Sequence, residues 1–169
     1  RVVILNAFIV EEHPDNQRFL ADCQRWFGHE IVQVRDDKYS ASARECWKRK
    51  RFIKSKWGAG CSMALKRNVL EAHARPSDTF VLGYTSEEAD RADRFIDANN
   101  GRKIITPLLD RDLNKSDCLA ILERAGIELP AMYRLGFNNN NCVGCCKGGM
   151  GYWNHVRKVF PDDFEAVAQ

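Results

Sequence analysis

Apolar and polar positions divide the chain into short apolar runs and longer amphipathic stretches. Residues 1–9 (RVVILNAFI) form a β-rich apolar run that reads as a buried strand. His13-Pro14-Asp15 is a turn, and Asp15 or Asn16 stands ready to cap a helix over residues 18–27, which stops at Gly28. Residues 30–34 give a second strand. Strand, helix, strand in this order favours parallel pairing and an α/β fold. Further on, the pattern predicts a helix over 62–74 capped by Ser62 and a buried strand over 79–83. A helix over 86–99 opens with Glu87-Glu88, which suits its positive end. A strand over 103–106 is followed by a helix over 115–125 stopped by Gly126. Residues 152–160 are helical, and Pro161 opens a short final helix. Residues 41–60 follow neither period, and residues 138–151 read as Asn-, Cys- and Gly-rich loop. Asn138 to Asn141 are expected to form side-chain-to-backbone turns.

Composition narrows the class. Of 169 residues, 44% are apolar and 29% charged, with a net charge of +3. That excludes a disordered chain, a collagen-like fibre and a disulfide miniprotein. No apolar run approaches the roughly 20 residues needed to cross a bilayer, so no membrane partner is expected. Seven irregularly spaced Cys, an odd number, do not resemble a secreted framework and point to a reducing cytoplasm. Cys23 and Cys118 lie in amphipathic patterns and read as small buried hydrophobes, whereas Cys46 beside Trp47 is ambiguous.

The charge is unevenly spread. Between Arg44 and Arg67 nine Lys and Arg face one acid, Glu45, giving +8 and leaving −5 on the rest. The centre of this block holds Lys48, Arg49, Lys50, Arg51, Lys54 and Lys56, flanked by Trp47 and Trp57. Such a cluster is either a solvated helix face or a surface for phosphate. Interleaved aromatics suit nucleic-acid bases.

Cysteine supplies the second candidate. Cys142-Val143-Gly144-Cys145-Cys146 is followed by Lys147-Gly148-Gly149, with Cys61 far upstream. Cys-x-x-Cys lets two thiolates reach one metal, and the glycines permit the turns this needs. Four thiolates suit zinc or an iron–sulfur cluster, and a metal-free redox pair is a third option. Lys147 would stabilise a thiolate or bind an anion. Gly83-Tyr84, past a predicted strand, is the third candidate, because ligands bind beyond the carboxyl ends of strands in open α/β sheets. His13 lies in the corresponding position after the first strand.

The run Asn138-Asn139-Asn140-Asn141-Cys142-Val143-Gly144-Cys145, with Lys147-Gly148-Gly149-Met150-Gly151-Tyr152-Trp153 after it, resembles phage and bacterial members of the phosphoadenosine phosphosulfate reductase-like family. That family belongs to the adenine nucleotide α-hydrolase, or PP-loop, superfamily. Asn6 through Glu12-His13-Pro14-Asp15, Cys61-Ser62 with Leu65-Lys66, and Thr106-Pro107-Leu108 are similar to other family segments. The resemblance implies an α/β fold, with a parallel sheet flanked by helices. Residues 1–137 would form the nucleotide-binding-like part, and 138–169 a Cys-rich segment and helix packed on it. It implies an adenine nucleotide or sulfonucleotide near Asn6, His13, Arg49, Lys50, Arg51, Lys54, Lys56, Gly83, Tyr84 and Lys147. It implies a [4Fe–4S] cluster, or zinc, on Cys61, Cys142 and Cys145, with Cys146 as the additional thiol.

Two departures accompany the resemblance. Relatives commonly carry a Cys pair where this chain has Cys61 alone. The pyrophosphate loop Ser-Gly-Gly-x-Asp-Ser occurs nowhere in the sequence, so the first strand, loop and helix are expected before residue 1, and the chain as given is expected to be catalytically inactive. No catalytic residue is identified. The leading expectation is an enzyme acting on an adenine nucleotide or sulfonucleotide. The alternatives are a PP-loop ATP-dependent sulfur-transfer or nucleic-acid-modifying enzyme, and a non-enzymatic nucleic-acid-binding module with zinc. A homodimer is a general expectation.

Overall fold

The computed structural model describes residues 2–56 and 58–168. Arg1 of the first predicted strand, Trp57 of the basic block and the final Gln169 lie outside the described residues. The chain is α/β with parallel strand pairs, and it divides into two compact units. One comprises residues 1–73 and 129–169, the other residues 74–128. The Cys-rich C-terminal segment therefore shares its unit with the N-terminal strand, helix and strand.

In the first unit, β1 (Ile4–Ala7) pairs in parallel with β2 (Ile31–Val34), so that Ile4 faces Ile31 and Ala7 faces Val34. Helix α1 (Asp15–Phe27) joins them and ends at Gly28, whose φ of 64° lets the chain turn out of the helix. Asp15 does not cap α1. Its carboxylate accepts from Arg18 Nε at 2.7 Å and from the Ala131 N–H at 2.7 Å. The Arg18 bond, the Ala131 bond and nearby cations hold its pKa well below the usual carboxylate range against the effect of burial. Asp15 thereby ties α1 to α6 (Ala131–Arg134).

The stretch 41–60 resolves into helix α2 (Ala43–Lys50) and an antiparallel hairpin of β3 (Lys54–Ser55) and β4 (Gly58–Ala59). Ser40 and Ala41, just before α2, both have φ of 53°, a conformation that costs a non-glycine residue roughly 1–2 kcal/mol. The predicted helix over 62–74 is a π-helical segment (Ser62–Arg67) continued by α3 (Asn68–Ala72). Ser62 is not its cap; Cys61 stands at that position. Helices α7 (Met150–Val159) and α8 (Pro161–Ala168) close the unit. Val156 of α7, Phe164 of α8 and Phe160 between them pack with Met132, Phe137 and Val143 in one core cluster. A second cluster joins Ile9, Tyr39, Cys46, Ala64 and Leu65, with Trp47, Cys61 and Cys142 packed against it.

The second unit repeats the strand–helix–strand order. Here β5 (Thr79–Val81) pairs in parallel with β6 (Lys103–Ile105). A 3-10 turn (Ser86–Glu88) and α4 (Ala89–Asp97) connect them, and α5 (Lys115–Arg124) follows. Thr79–Val81 is not a buried strand: Val81 is 59% exposed and its neighbour Ile105 is 42% exposed. Ser86 does not cap the helix either; Thr85 holds that position. Cys23 is buried as expected, while Cys118 is only partly so; burial raises the pKa of both. Cys46 is fully buried in the core. Among the described residues no helix is long and apolar enough to cross a membrane.

Candidate functional site

The acidic turn after β1 organises the first unit. The carboxylate of Glu11 accepts from Ser42 Oγ at 2.5 Å, the Ala43 N–H at 2.8 Å and the Arg44 N–H at 3.1 Å. Ser42 itself caps α2 by accepting from the Glu45 N–H at 3.2 Å, and Glu11, from outside the helix, takes the Ala43 and Arg44 N–H donors of its first turn. The Glu11 backbone carbonyl accepts from the Val143 N–H at 2.8 Å, which draws the Cys-rich hairpin against the same turn. Glu12 accepts from Lys66 Nζ at 3.0 Å.

Two close approaches shape the hairpin. Gly144 has φ of 76°, and a side chain there would press on Val167 and Trp153. At Gly148 a Cβ atom would collide with the Tyr152 ring. That ring stays close because Tyr152 Oη donates to the Cys142 carbonyl at 2.7 Å and accepts from the Cys145 N–H at 3.1 Å. The glycines of the motif thus let one tyrosine clamp the thiol loop at two backbone positions.

The thiols of this loop meet the distant Cys61. The neighbouring Cys146 thiol favours the Cys61 thiolate and lowers its pKa to about 6 against the effect of burial. Trp47 and the Ser62 N–H favour the thiolate further. The buried indole N–H of Trp47 has no hydrogen-bond partner among the described residues. The pKa of Cys146 is raised, first by the neighbouring Cys61 and then by burial. Burial pushes Cys142 up to about 12, with Lys66 opposing the shift. Burial alone would lower the Lys66 pKa, but Glu12, Cys142 and Cys145 outweigh it and raise the value. Lys66 therefore serves both the acidic turn and the thiols.

A soft donor set of four cysteines from two separated stretches matches zinc or an iron–sulfur cluster in chemistry. Among the described residues, no three His, Cys, Asp or Glu side chains are grouped to hold a metal ion. Cys61 and Cys146 touch, while Cys142 and Cys145 stand beside Lys66.

The other predicted residues are dispersed. Lys147 is exposed and acts electrostatically on Cys146. Asn6 accepts from Gln33 Nε2 at 3.2 Å across the strand pair. His13 Nδ1 accepts from the Asp15 N–H at 3.1 Å, so this ring serves the entry of α1. Arg49 donates to the Lys38 carbonyl at 2.7 Å and lies 3.4 Å from Glu45. Lys50, Arg51, Lys54 and Lys56 are exposed on the end of α2 and the hairpin. Gly83 and Tyr84 belong to the second unit, where Arg91 lies over the Tyr84 ring at 5.3 Å. Sequence reasoning missed Glu11, Trp47 as a thiol partner, and Tyr152 as a clamp. The only available signal was Tyr152 four residues after Gly148.

No family model, curated protein or solved structure matches this chain.

Proposed function

We propose that this protein is a phosphoadenosine phosphosulfate reductase-like enzyme of the adenine nucleotide α-hydrolase superfamily. It acts on an adenine nucleotide or sulfonucleotide, and thiolates drawn from Cys61, Cys142, Cys145 and Cys146 hold a [4Fe–4S] cluster or zinc. The observation that carries this reading is the packing of Cys61 and Cys142, residues far apart in sequence, against the same core cluster, with Cys146 close enough to Cys61 to favour its thiolate. Two strand–helix–strand segments with parallel pairs support the superfamily's α/β architecture.

A zinc ion or cluster on these thiols would offset part of their negative charge and fix their positions. The chain's own residues do the rest. Lys66, oriented by Glu12, holds an anionic group of the substrate next to Cys142 and Cys145. Trp47 and Cys61 pack against the same core cluster, which holds that thiol in place. Tyr152 fixes the backbone between Cys142 and Cys145, so the thiols are positioned before any ligand arrives. With no Ser-Gly-Gly-x-Asp-Ser in the sequence, phosphate contacts from these residues fall to cations.

Visible spectroscopy with iron, sulfide and zinc analysis of anaerobically purified protein tests the proposal, together with calorimetric titration of adenine nucleotides. Broad absorption in the blue or stoichiometric zinc, with measurable nucleotide affinity, is the expected result. Cys61→Ala and Cys142→Ala then lose the metal, whereas Cys23→Ala and Cys118→Ala keep it. Metal-free protein that binds no adenine nucleotide would overturn the reading.

A second reading rests on the cationic surface. Lys48, Arg49, Lys50, Arg51 and Lys54 are exposed beside Phe52 and Ile53, which are 43% and 52% exposed. Aromatic and aliphatic surface among cations suits a nucleic-acid strand. That arrangement favours a sulfur-transfer or nucleic-acid-modifying enzyme of the same superfamily, or a zinc-containing binding module. Salt-dependent RNA or DNA binding that weakens in Lys48→Glu/Arg51→Glu supports it; binding indifferent to those changes rejects it.

A further inference from the structure

The chain leaves α2 at Lys50 through a sharp turn. Arg51 ends the helix in the left-handed region, with φ of 50°. Its N–H donates to the Lys48 carbonyl and the Phe52 N–H to the Trp47 carbonyl, both at 3.3 Å. Phe52 and Ile53 then lead into β3. We propose, on the nucleic-acid reading of this cationic face, that Phe52 is a stacking platform for an unpaired base, so that the face takes single-stranded rather than duplex nucleic acid.

A platform needs a ring held on one side and open on the other. The Cδ1–Cε1 side of the Phe52 ring lies against Gly60, just past β4. A Cβ atom at Gly60 would stand 3.2 Å from Phe52 Cδ1 and 3.6 Å from Cε1. Glycine there lets backbone and ring approach closely. The Gly60 N–H donates to the Ile53 carbonyl at 3.3 Å, which fixes that backbone beside the aromatic residue. The Lys50 side chain reaches the same place, its Cδ at 3.7 Å from the Cβ position. Phe52 nevertheless remains 43% exposed, and Ile53 beside it 52%. Apolar surface held bare in water gains free energy when it is covered, and every base has a face that can cover it.

Charge decides what covers it. In the basic block Arg44, Arg49 and Lys66 each have an acid, at 2.6, 3.4 and 3.0 Å. Lys48, Lys50, Arg51 and Lys54, which flank Phe52 along the chain, are exposed, and among the described residues none has a carboxylate within ion-pair distance. Cations without acids around a bare ring fit a polymer that carries phosphates and flat bases together. In a duplex the base faces are stacked on one another, so Phe52 would meet only phosphate and groove. In a single strand the faces are free to stack on an aromatic side chain. A polycarboxylate answers the cations and leaves the ring bare.

Fluorescence anisotropy of the full chain with oligothymidylate, a DNA duplex, polyphosphate and poly-glutamate, matched in charge, tests the platform. Oligothymidylate is expected to bind most tightly. Phe52→Ala should weaken it about tenfold without changing its salt dependence, and should leave the duplex and polyphosphate unchanged. Phe52→Trp should retain it. Lys54→Ala should weaken every polyanion and lower the slope of log affinity against log salt by about 0.7 for the single strand. Circular dichroism checks that each variant is folded. Phe52→Leu, apolar without an aromatic face, replaces Phe52→Ala if that one unfolds. Poly-glutamate bound as tightly as oligothymidylate overturns the platform, as does Phe52→Ala weakening polyphosphate and oligothymidylate alike. A duplex bound as tightly as the single strand, and weakened by Lys48→Glu/Arg51→Glu, sinks the platform and leaves the cationic-surface reading standing. Binding of neither nucleic acid sinks both.

Discussion

The two strand–helix–strand segments have the same order and the same parallel pairing, yet they use the turn after the first strand differently. After β1, Glu11 and Glu12 reach outward to bind α2, the Cys-rich hairpin and Lys66. After β5, Glu87 accepts from the Lys115 N–H at the start of α5, whose own Asn114 and Asp117 already form a capping box. One turn gathers segments distant in sequence around reactive sulfur, while the other serves a helix that largely caps itself. A common backbone plan therefore says little about where chemistry collects. The long-range partners of the loops decide that.

The sharpest way to break this contrast is at glycine. Gly148→Ala drives a methyl group into the Tyr152 ring and should cost about 3 kcal/mol in urea unfolding, loosening the thiol loop with it. Gly83→Ala meets Leu108 at an ordinary 3.7 Å and should be tolerated. A next step removes the carboxylates. Glu11→Ala leaves the Ala43 and Arg44 N–H groups at the start of α2 without their acceptor and should cost about 2 kcal/mol, while Glu87→Ala should shift the melting temperature less.

Acid probes the same region. The Asp15 pKa is depressed in the fold, so its stabilisation is complete above the ordinary carboxylate value of 3.8 and is lost as pH falls below it. Asp15→Asn should cost about 1.5 kcal/mol at neutral pH and flatten the acid limb of the stability–pH curve. The smallest effect is expected at Val81→Thr on the exposed face of β5, within about 0.5 kcal/mol by thermal melting.

Much of the fold was legible because local signals agree with it. The α1 stop at Gly28, the parallel pairing of β1 with β2 and the helix starting at Pro161 all follow from periodicity and breakers. Glu11 could not be anticipated, because one glutamate in an acidic turn carries no pattern, and its partners lie at Ser42 and Val143. The exposure of Val81 was also hidden, since an apolar run does not reveal what covers it. The caps at Ser62 and Ser86 failed because the chain enters those helices one residue earlier.

The hold of Glu11 on Val143 sets an order of events during synthesis on the ribosome. Cys61 emerges long before Cys146, a delay of roughly ten seconds at ordinary translation rates. Throughout that interval the Cys61 sulfur lacks its neighbour, and the nascent polypeptide needs its final helices before the thiol neighbourhood can close.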